Sequence, residues 1–250
     1  MSEILKQPCP IEAAEEAEID RLCHKLHIMP PPKLRLKLEV FSRGGELLKL
    51  YEDRARSWVR NAYNFMTMQT MGAMFGTLGT SYGAGFFVMK QTNNSNITNS
   101  FLTASSRGSG GTPPALIHFF SGSGITAHGI VVGTSTAAET FEGYALDALI
   151  AEGTGAGQMS YAAITFENPS YDAGTKKFTQ TIIRYINNNS GGSITVNEAG
   201  LYCRLFVAAN TSSSVGDFLL ARDLLVAGVA VANTAQLKVT YTIESTTYPV

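Results

Sequence analysis

Apolar and polar residues alternate most strictly over Lys33–Phe41 (KLRLKLEVF), where every second residue is leucine or valine. Alternating side chains lie on opposite faces of a strand, so the pattern predicts a β-strand with one buried face and one solvent face. Arg43–Glu46 forms a glycine-containing turn, and Leu47–Tyr51 supplies a returning strand. The segment is therefore predicted to be a hairpin.

Two other segments have helical spacing. In Pro10–His27, a proline suits the first turn, glutamates lie near the N-terminal end, and Lys25 lies near the C-terminal end. Arg54–Met68 places Trp58 and Phe65 on one stripe, which predicts a second helix.

Three prolines, residues 30–32, follow the first helix and form a stiff spacer. A charged helix before such a spacer fits an arm that docks on another molecule. It equally fits a helix that folds back on its own domain, and the sequence leaves both alternatives open. The predicted organisation is a helical arm and proline hinge over residues 1–32, followed by a β-rich domain over residues 33–250.

That domain is predicted to comprise the hairpin and helix (33–70), a glycine-rich polar loop region (71–114) and a β-sandwich core (115–250). Short apolar runs separated by asparagine and glycine turns are typical of an antiparallel sandwich. The predicted fold is therefore mainly β, a jelly-roll-like or immunoglobulin-like antiparallel β-sandwich, with the N-terminal helical arm and a helix after the first hairpin. The candidate strands are Leu116–Phe120, Gly129–Val132, Gln158–Phe166, Lys176–Ile186, Ser193–Val196, Gly200–Val207, Asp217–Ala221 and Gln236–Ile243.

Charged residues make up 16% of the chain, against about 25% in ordinary soluble domains. More than half of them precede Ala62, and the net charge is −1. A weakly charged, polar β surface is more typical of a protein packed against copies of itself than of a freely diffusing enzyme. Three cysteines do not make a disulfide framework, and the N-terminus lacks the pattern of a signal peptide. We expect a soluble protein without a membrane partner.

Motifs for nucleotide and metal binding are incomplete. Gly153–Gly157 is glycine-rich, but a phosphate-binding loop ends in lysine followed by serine or threonine, and Gln158 stands there instead. Cys9, Cys23, His24 and His27 lack the close pairs found in zinc sites. We therefore expect no cofactor and no metal.

The pattern also predicts no catalytic site. His118 and His128 are the histidines of the β region, and Ser121–Gly124 lacks the strand-to-helix setting of a nucleophilic serine. The acidic residues are too scattered along the chain to nominate an acid–base pair; they are Asp147, Glu152, Glu167, Glu198, Asp217 and Asp223.

Arginines and aromatic residues interleave between Arg43 and Tyr63, a combination that can contact nucleic acid. The basic residues are few and mixed with acidic ones, so we expect protein contacts rather than a nucleic-acid partner. The residues concerned are Arg43, Arg54, Arg56 and Arg60 with Tyr51, Trp58 and Tyr63.

Several phrases resemble a group of mostly uncharacterised virion structural proteins of tailed bacteriophages. The resemblance covers roughly the C-terminal half and also EVFSRGGELLKLYEDRARSWVRN within 33–64. It implies a capsid accessory, a head–tail or tail element, or a fibre-like protein, made in the host cytoplasm and located in the virion. The phrases are GIVVGT (129–134), YALDALI (144–150), GTGAGQMSY (153–161), NNSGGSITVNEAGLY (188–202) and FLLARD (218–223).

The leading hypothesis is a virion structural protein whose partners are itself, as a homo-oligomer, and other virion proteins. The alternative is a receptor- or carbohydrate-binding module of a phage tail, with a host-surface glycan as partner. Its candidate stacking residues are Tyr161, Tyr171, Tyr185 and Tyr248. The residues within these phrases indicate a structural framework rather than an active site. They predict a tight bend at Gly200 and a charged pair, Arg222 and Asp223, at a strand end.

Overall fold

The computed structural model of the chain describes residues 2–6, 10–26, 32–55, 58–71, 89–97, 101–102, 119–209 and 212–246. Most of the predicted loop region 71–114 lies outside these residues. Over the described residues the protein is mainly β, as predicted, with two α-helices. The elements are β1 (Glu3–Lys6), α1 (Pro10–Lys25), β2 (Lys33–Phe41), β3 (Leu47–Ala55), α2 (Arg60–Met71), β4 (Met89–Lys90), β5 (Asn96–Ile97), β6 (Phe101–Leu102), β7 (Gly129–Gly133), β8 (Ser160–Phe166), β9 (Ser170–Asp172), β10 (Lys177–Asn187), β11 (Ile194–Ala209), β12 (Ser212–Val231) and β13 (Gln236–Thr246).

The chain forms two compact units. The first unit comprises Met1–Arg56, Ala151–Thr195 and Val226–Val250. The second comprises Ser57–Ile150 and Val196–Leu225. The predicted boundary after residue 32 does not coincide with this division, because β1 and α1 belong to the first unit.

The first unit contains a seven-stranded sheet in the order β1-β3-β2-β13-β10-β8, with β9 also paired to β10. The alternating leucines of β2 are buried, and they lie opposite the alternating apolar residues of β13. Leu38, for example, pairs with Val239, and both are fully buried. The period-two pattern therefore sets both the strand and its register.

One edge of this sheet departs from the antiparallel prediction. β1 pairs with β3 in parallel, which makes the sheet mixed. A parallel pair needs a crossover connection, and the intervening chain contains α1 and β2. Lys49 lies 3.4 Å from Glu3, and Lys6 lies 3.9 Å from Asp53, so opposite charges accompany the backbone pairing.

Helix α1 contacts the same unit through its acidic face. The Glu16 carboxylate is almost buried and lies 3.2 Å from Arg35, 3.3 Å from Arg54 and 3.8 Å from Lys33. Lys33 also lies 2.6 Å from Asp20. In the described residues, the helix is thus held to β2 and β3 of its own chain by ion pairs.

The substitution Glu16→Gln is expected to loosen α1, because an almost buried carboxylate that faces three cations is lost. Hydrogen bonds to charged groups contribute about 1.5–3 kcal/mol, so the α1 amides should exchange faster by a corresponding factor in hydrogen–deuterium exchange. Glu18→Gln is the matched control, since Glu18 pairs with Arg21 on the exposed side of the same helix. Equal exchange rates in the two variants would contradict the assignment.

The second unit contains a sheet in the order β12-β11-β6, with β7 also paired to β11, and a ribbon of β4 and β5. Its apolar cluster includes Met89, Leu205 and Phe218, with Trp58 packed against it. The predicted helix start at Arg54 is wrong: β3 continues to Ala55, and α2 begins at Arg60. The backbone of Trp58, just before this helix, instead forms a β-bridge with Ala221.

The predicted bend at Gly200 is also wrong. Gly200 lies inside the continuous strand β11 and pairs with Val131 of β7. A Cβ at this position would lie 2.9 Å from Leu146 Cδ2, so glycine allows the close approach of a side chain from the segment after β7.

The pair Arg222 and Asp223 does not end a strand either. Both residues lie well inside β12 and are buried. The strand was predicted over Asp217–Ala221, and it extends in both directions. Arg222 can occupy the interior of this strand because partners from other segments reach its guanidinium group.

Candidate functional site

A network of charged and polar side chains lies in the second unit; Glu198, Tyr202 and Arg222 are buried, and Asp147 is exposed. We call it the clamp and define it by Asp147, Glu198, Tyr202 and Arg222. Glu198 is 0% exposed and Arg222 is 3% exposed. Arg222 Nε donates to Glu198 Oε2 at 2.8 Å, which pairs a buried cation with a buried anion.

The remaining polar atoms of this ion pair bind the segment between β7 and β8. The backbone N–H of Ala148 donates to Glu198 Oε1 at 3.0 Å. Arg222 Nη1 and Nη2 donate to the carbonyl oxygens of Ala138 and Ala137 at 3.2 and 3.0 Å. Arg222 Nη2 also lies 2.9 Å from Asp147 Oδ2. Residues far apart in the sequence are thereby fixed on β11 and β12.

The phenol of Tyr202 extends the clamp. The backbone N–H of Leu146 donates to Tyr202 Oη at 2.6 Å. Burial raises the pKa of Tyr202 to about 12, since the phenolate would lose its hydration inside the unit. The tyrosine therefore stays neutral and serves as a hydrogen-bond acceptor for this backbone.

Tyr202→Phe is expected to lower the free energy of unfolding by about 1–3 kcal/mol near neutral pH, because the buried N–H of Leu146 loses its acceptor. In the unfolded chain the tyrosine ionises near its ordinary pKa of 10.0, whereas the folded pKa is about 12. The free energy of unfolding of the parent protein therefore falls as the pH rises through 10. The variant has no phenol at this position, so its free energy of unfolding lacks this pH dependence.

Urea unfolding at pH 8, 9, 10 and 11 measures both effects. The difference in stability between the parent and Tyr202→Phe should shrink above pH 10. A constant difference across this range would contradict the buried, neutral phenol.

A second polar cluster of the same unit joins β11, β12 and the residues before β7. Asp217 accepts two hydrogen bonds from Arg204, both of 2.9 Å, and its Oδ1 lies 3.3 Å from Nδ1 of the buried His128. Burial raises the pKa of Asp217, but His128 and Arg204 outweigh it, so the pKa lies below its ordinary value. Asp217 is thus a carboxylate that ties strands together.

The glycine-rich stretch before β8 is a turn. The backbone N–H of Gly155 donates to the side-chain oxygen of Gln158 at 3.0 Å, and Gly153 and Gly157 have φ values of 144° and 76°. A strand follows the stretch instead of the helix that a phosphate-binding loop requires.

The carboxylates that appeared scattered in the sequence fall into separate places. The clamp brings together Asp147 and Glu198. Glu152 accepts a hydrogen bond from the backbone N–H of Tyr161 in the first unit, and Glu167 is exposed. Asp223 is buried in β12.

Of the metal-ligand candidates, Cys23 is half-buried, while Cys9, His27 and the side chain of His24 lie outside the described residues, as does His118. Within the described residues, no group of three or more His, Cys, Asp or Glu side chains could hold a metal ion. In the same part of the chain, no helix has the length and apolarity needed to span a membrane.

Two of the arginines between Arg43 and Tyr63 form ion pairs in the described residues. Arg54 pairs with Glu16, and Arg60 pairs with Glu142. Arg56 lies outside the described residues. Among the interleaved aromatic residues Tyr51 is buried, and its hydroxyl accepts a hydrogen bond from the N–H of Val226.

An exposed aromatic pair was missed by the sequence analysis. The rings of Tyr63 and Phe141 lie 5.6 Å apart and are 49% and 51% exposed. The guanidinium carbon of Arg60 lies 5.3 Å from the centre of the Phe141 ring. No local pattern joins these residues, because Phe141 comes from a segment without regular secondary structure.

Comparisons of the chain with protein-family models, with curated proteins and with solved structures found no match.

Proposed function

We propose that the protein is a structural component of a bacteriophage virion, which assembles through contacts with its own copies and with other virion proteins. A capsid accessory or decoration protein, or a head–tail element, fits this role. The observation that carries the proposal is that four of the phage-like phrases contribute to the clamp or pack directly against it. GIVVGT supplies Gly133, YALDALI supplies Asp147, NEAGLY supplies Glu198 and Tyr202, and FLLARD supplies Arg222.

The bonding of these residues supports a framework role. Both oxygens of Glu198 are occupied by protein donors, and Arg222 donates from all three of its nitrogens. Charges used in this way hold the segment 134–149 in one shape, although it lacks regular secondary structure. A surface with a fixed shape loses little conformational entropy when it meets a neighbouring subunit.

The finer fold class is part of this proposal. A sandwich of jelly-roll or immunoglobulin-like type is supported by the long antiparallel strands of each unit and by the alternation of buried and exposed residues along β2. Cryo-electron microscopy of the full chain tests it through the packing of the sheets.

Mass spectrometry of density-purified particles, from a lysate in which the gene is expressed, tests the virion role. The protein is expected in the particle fraction in many copies, and in a constant ratio to the major capsid protein. A cytoplasmic host enzyme of similar abundance controls for carry-over. Detection of the protein in the particle fraction at or below the level of that enzyme would contradict the proposal.

A second candidate function is recognition of a receptor or carbohydrate. Of the tyrosines first considered, Tyr161 is buried, Tyr185 is half-buried, Tyr171 is exposed and Tyr248 lies outside the described residues. The observation that favours this function is instead the exposed pair of Tyr63 and Phe141. Binding of the purified full chain to a glycan array tests it, and an array without signal would remove it.

A further inference from the structure

We propose that the second unit binds a saccharide that carries a carboxylate, in a cavity beside Tyr63 and Phe141. We call this site the basic pocket and define it by its lining: Arg60, Asn61, Lys90, Asn96, Glu142 and Gly143. The inference rests on the second candidate function, recognition of a carbohydrate. It does not depend on whether the protein is part of a virion.

The aromatic pair supplies the apolar part of the site. Tyr63 and Phe141 are each about half exposed, and their rings are tilted by 53° to each other. Sugars present a face of C–H groups, which packs on an aromatic ring and is shielded from water there. Arg60 connects the pair to the pocket, since it lies against Phe141 and also lines the cavity.

The frame of the pocket is fixed before any ligand binds. The buried side chain of Asn61 donates to the carbonyl oxygen of Lys90 at 2.8 Å and accepts from its N–H at 3.0 Å, which joins α2 to β4. The first N–H of α2, from Arg60, donates to the carbonyl oxygen of Phe141 at 2.8 Å. A preformed frame reduces the entropy that binding costs.

Two polar groups of the pocket, the ammonium of Lys90 and the carboxylate of Glu142, are positioned by neighbouring side chains and can form further hydrogen bonds. Lys90 Nζ lies 3.9 Å from the centre of the Tyr144 ring, a contact that positions the ammonium, and the N–H groups that do not face the ring can donate to a ligand. Arg60 donates from Nε and Nη2 to one oxygen of Glu142, Oε1, so the second carboxylate oxygen can accept from a hydroxyl group.

Size and charge define the ligand. The cavity has a volume of about 170 Å³, below the roughly 300–1,000 Å³ of sites for drug-sized molecules, so it fits one sugar ring or the end of a chain. Its lining carries two cations, Arg60 and Lys90, and one anion, Glu142. The excess positive charge favours a ligand carboxylate near Lys90, while Glu142 and Asn96 suit ring hydroxyl groups.

Isothermal titration of the purified full chain with a tetramer of glucuronic acid, and with a tetramer of glucose as the neutral match, tests the proposal. The acidic probe is expected to bind at least tenfold more tightly. Its affinity should fall between 50 and 500 mM salt, because the attraction of Lys90 and Arg60 is screened. Equal affinity for the two probes, or binding of neither, overturns the proposal.

Two substitutions locate the binding. Phe141→Ala is expected to weaken binding of the acidic probe about three- to tenfold, the range for one stacked aromatic contact. Lys90→Met keeps the stem against Tyr144, removes the charge, and should abolish the preference for the acidic probe. The matched control is Tyr171→Ala, which removes an aromatic side chain of the same exposure, 52%, from the first unit.

Thermal unfolding of each variant separates loss of the site from loss of the fold. If Phe141→Ala unfolds at a lower temperature than the parent, the Lys90→Met variant still tests the proposal. Its readout is the ratio of its affinities for the acidic and the neutral probe. Unchanged binding in both variants would place any affinity elsewhere and overturn the assignment. Such a failure would not affect the virion proposal, which is judged from the composition of particles.

Discussion

Arg222→Met is expected to lower the free energy of unfolding of the second unit by about 3–5 kcal/mol, because it leaves the carboxylate of Glu198 buried without its cation. The methionine fills much of the arginine's volume, so the loss reports the charge and its hydrogen bonds. Trp58 is the only tryptophan of the chain and packs against the core of this unit. Its fluorescence during urea unfolding therefore measures the effect.

Arg60→Met is the matched control in the same unit. Arg60 also forms an ion pair, with Glu142, but the two side chains are 50% and 64% exposed. Exposed pairs contribute about 0–1 kcal/mol, so this variant should unfold almost like the parent. Similar losses of unfolding free energy in the two variants would mean that burial does not increase the contribution of the pair Arg222 and Glu198 to stability.

The double variant Arg222→Met with Glu198→Leu sharpens the result. Removing both charges of a buried pair avoids an uncompensated charge, so the double variant is expected to lose less than the sum of the two single changes. Additive losses would show that the two side chains act independently, contrary to the 2.8 Å contact between them.

Gly133→Ala is expected to cost about 2–4 kcal/mol, which combines overpacking with a lost hydrogen bond. A Cβ at Gly133 would lie 2.6 Å from the carbonyl oxygen of Ala148 and 2.7 Å from Glu198 Cγ. The new methyl group must therefore displace either a backbone or the stem of a buried carboxylate. The same tryptophan fluorescence in urea measures the loss.

Gly122→Ala controls for the general effect of replacing glycine in this unit. The nearest atom to a Cβ there is the flexible end of Ile125, at 3.9 Å, and no strained backbone angle is involved. Its effect should stay within about 0.5 kcal/mol. A neutral Gly133→Ala variant would contradict the tight packing of the clamp against β7.

The strand that the sequence predicted best alternates between buried and half-buried side chains along its whole length. β2 has the predicted bounds, Lys33–Phe41, because each of its alternating leucines enters the same core. β7, β8, β10 and β13 agree with prediction to within three residues at each end. Their apolar periodicity is a local property, and local properties can be read from neighbouring residues.

The predictions failed where the deciding partner is distant in the sequence. Gly200 looked like a bend because glycine weakens a strand, but Leu146 requires the absence of a side chain there. Arg222 looked like a strand end because charged residues avoid strand interiors, but Glu198 and the carbonyl groups of residues 137 and 138 satisfy it. The sequence did hold a signal, since Glu198 and Arg222 are opposite charges that each lie within a largely apolar strand.

By itself, the sequence determined the mainly β fold, the first hairpin, the two helices and the absence of a recognisable phosphate-binding motif. The tertiary structure alone decided that α1 lies against its own sheet through Glu16, that carboxylates distant in the sequence share one arginine, and that Phe141 stands beside Tyr63. The physical reason is that periodicity follows from the geometry of a single element, whereas the pairing of buried charges and the approach of exposed rings depend on segments that only folding brings together.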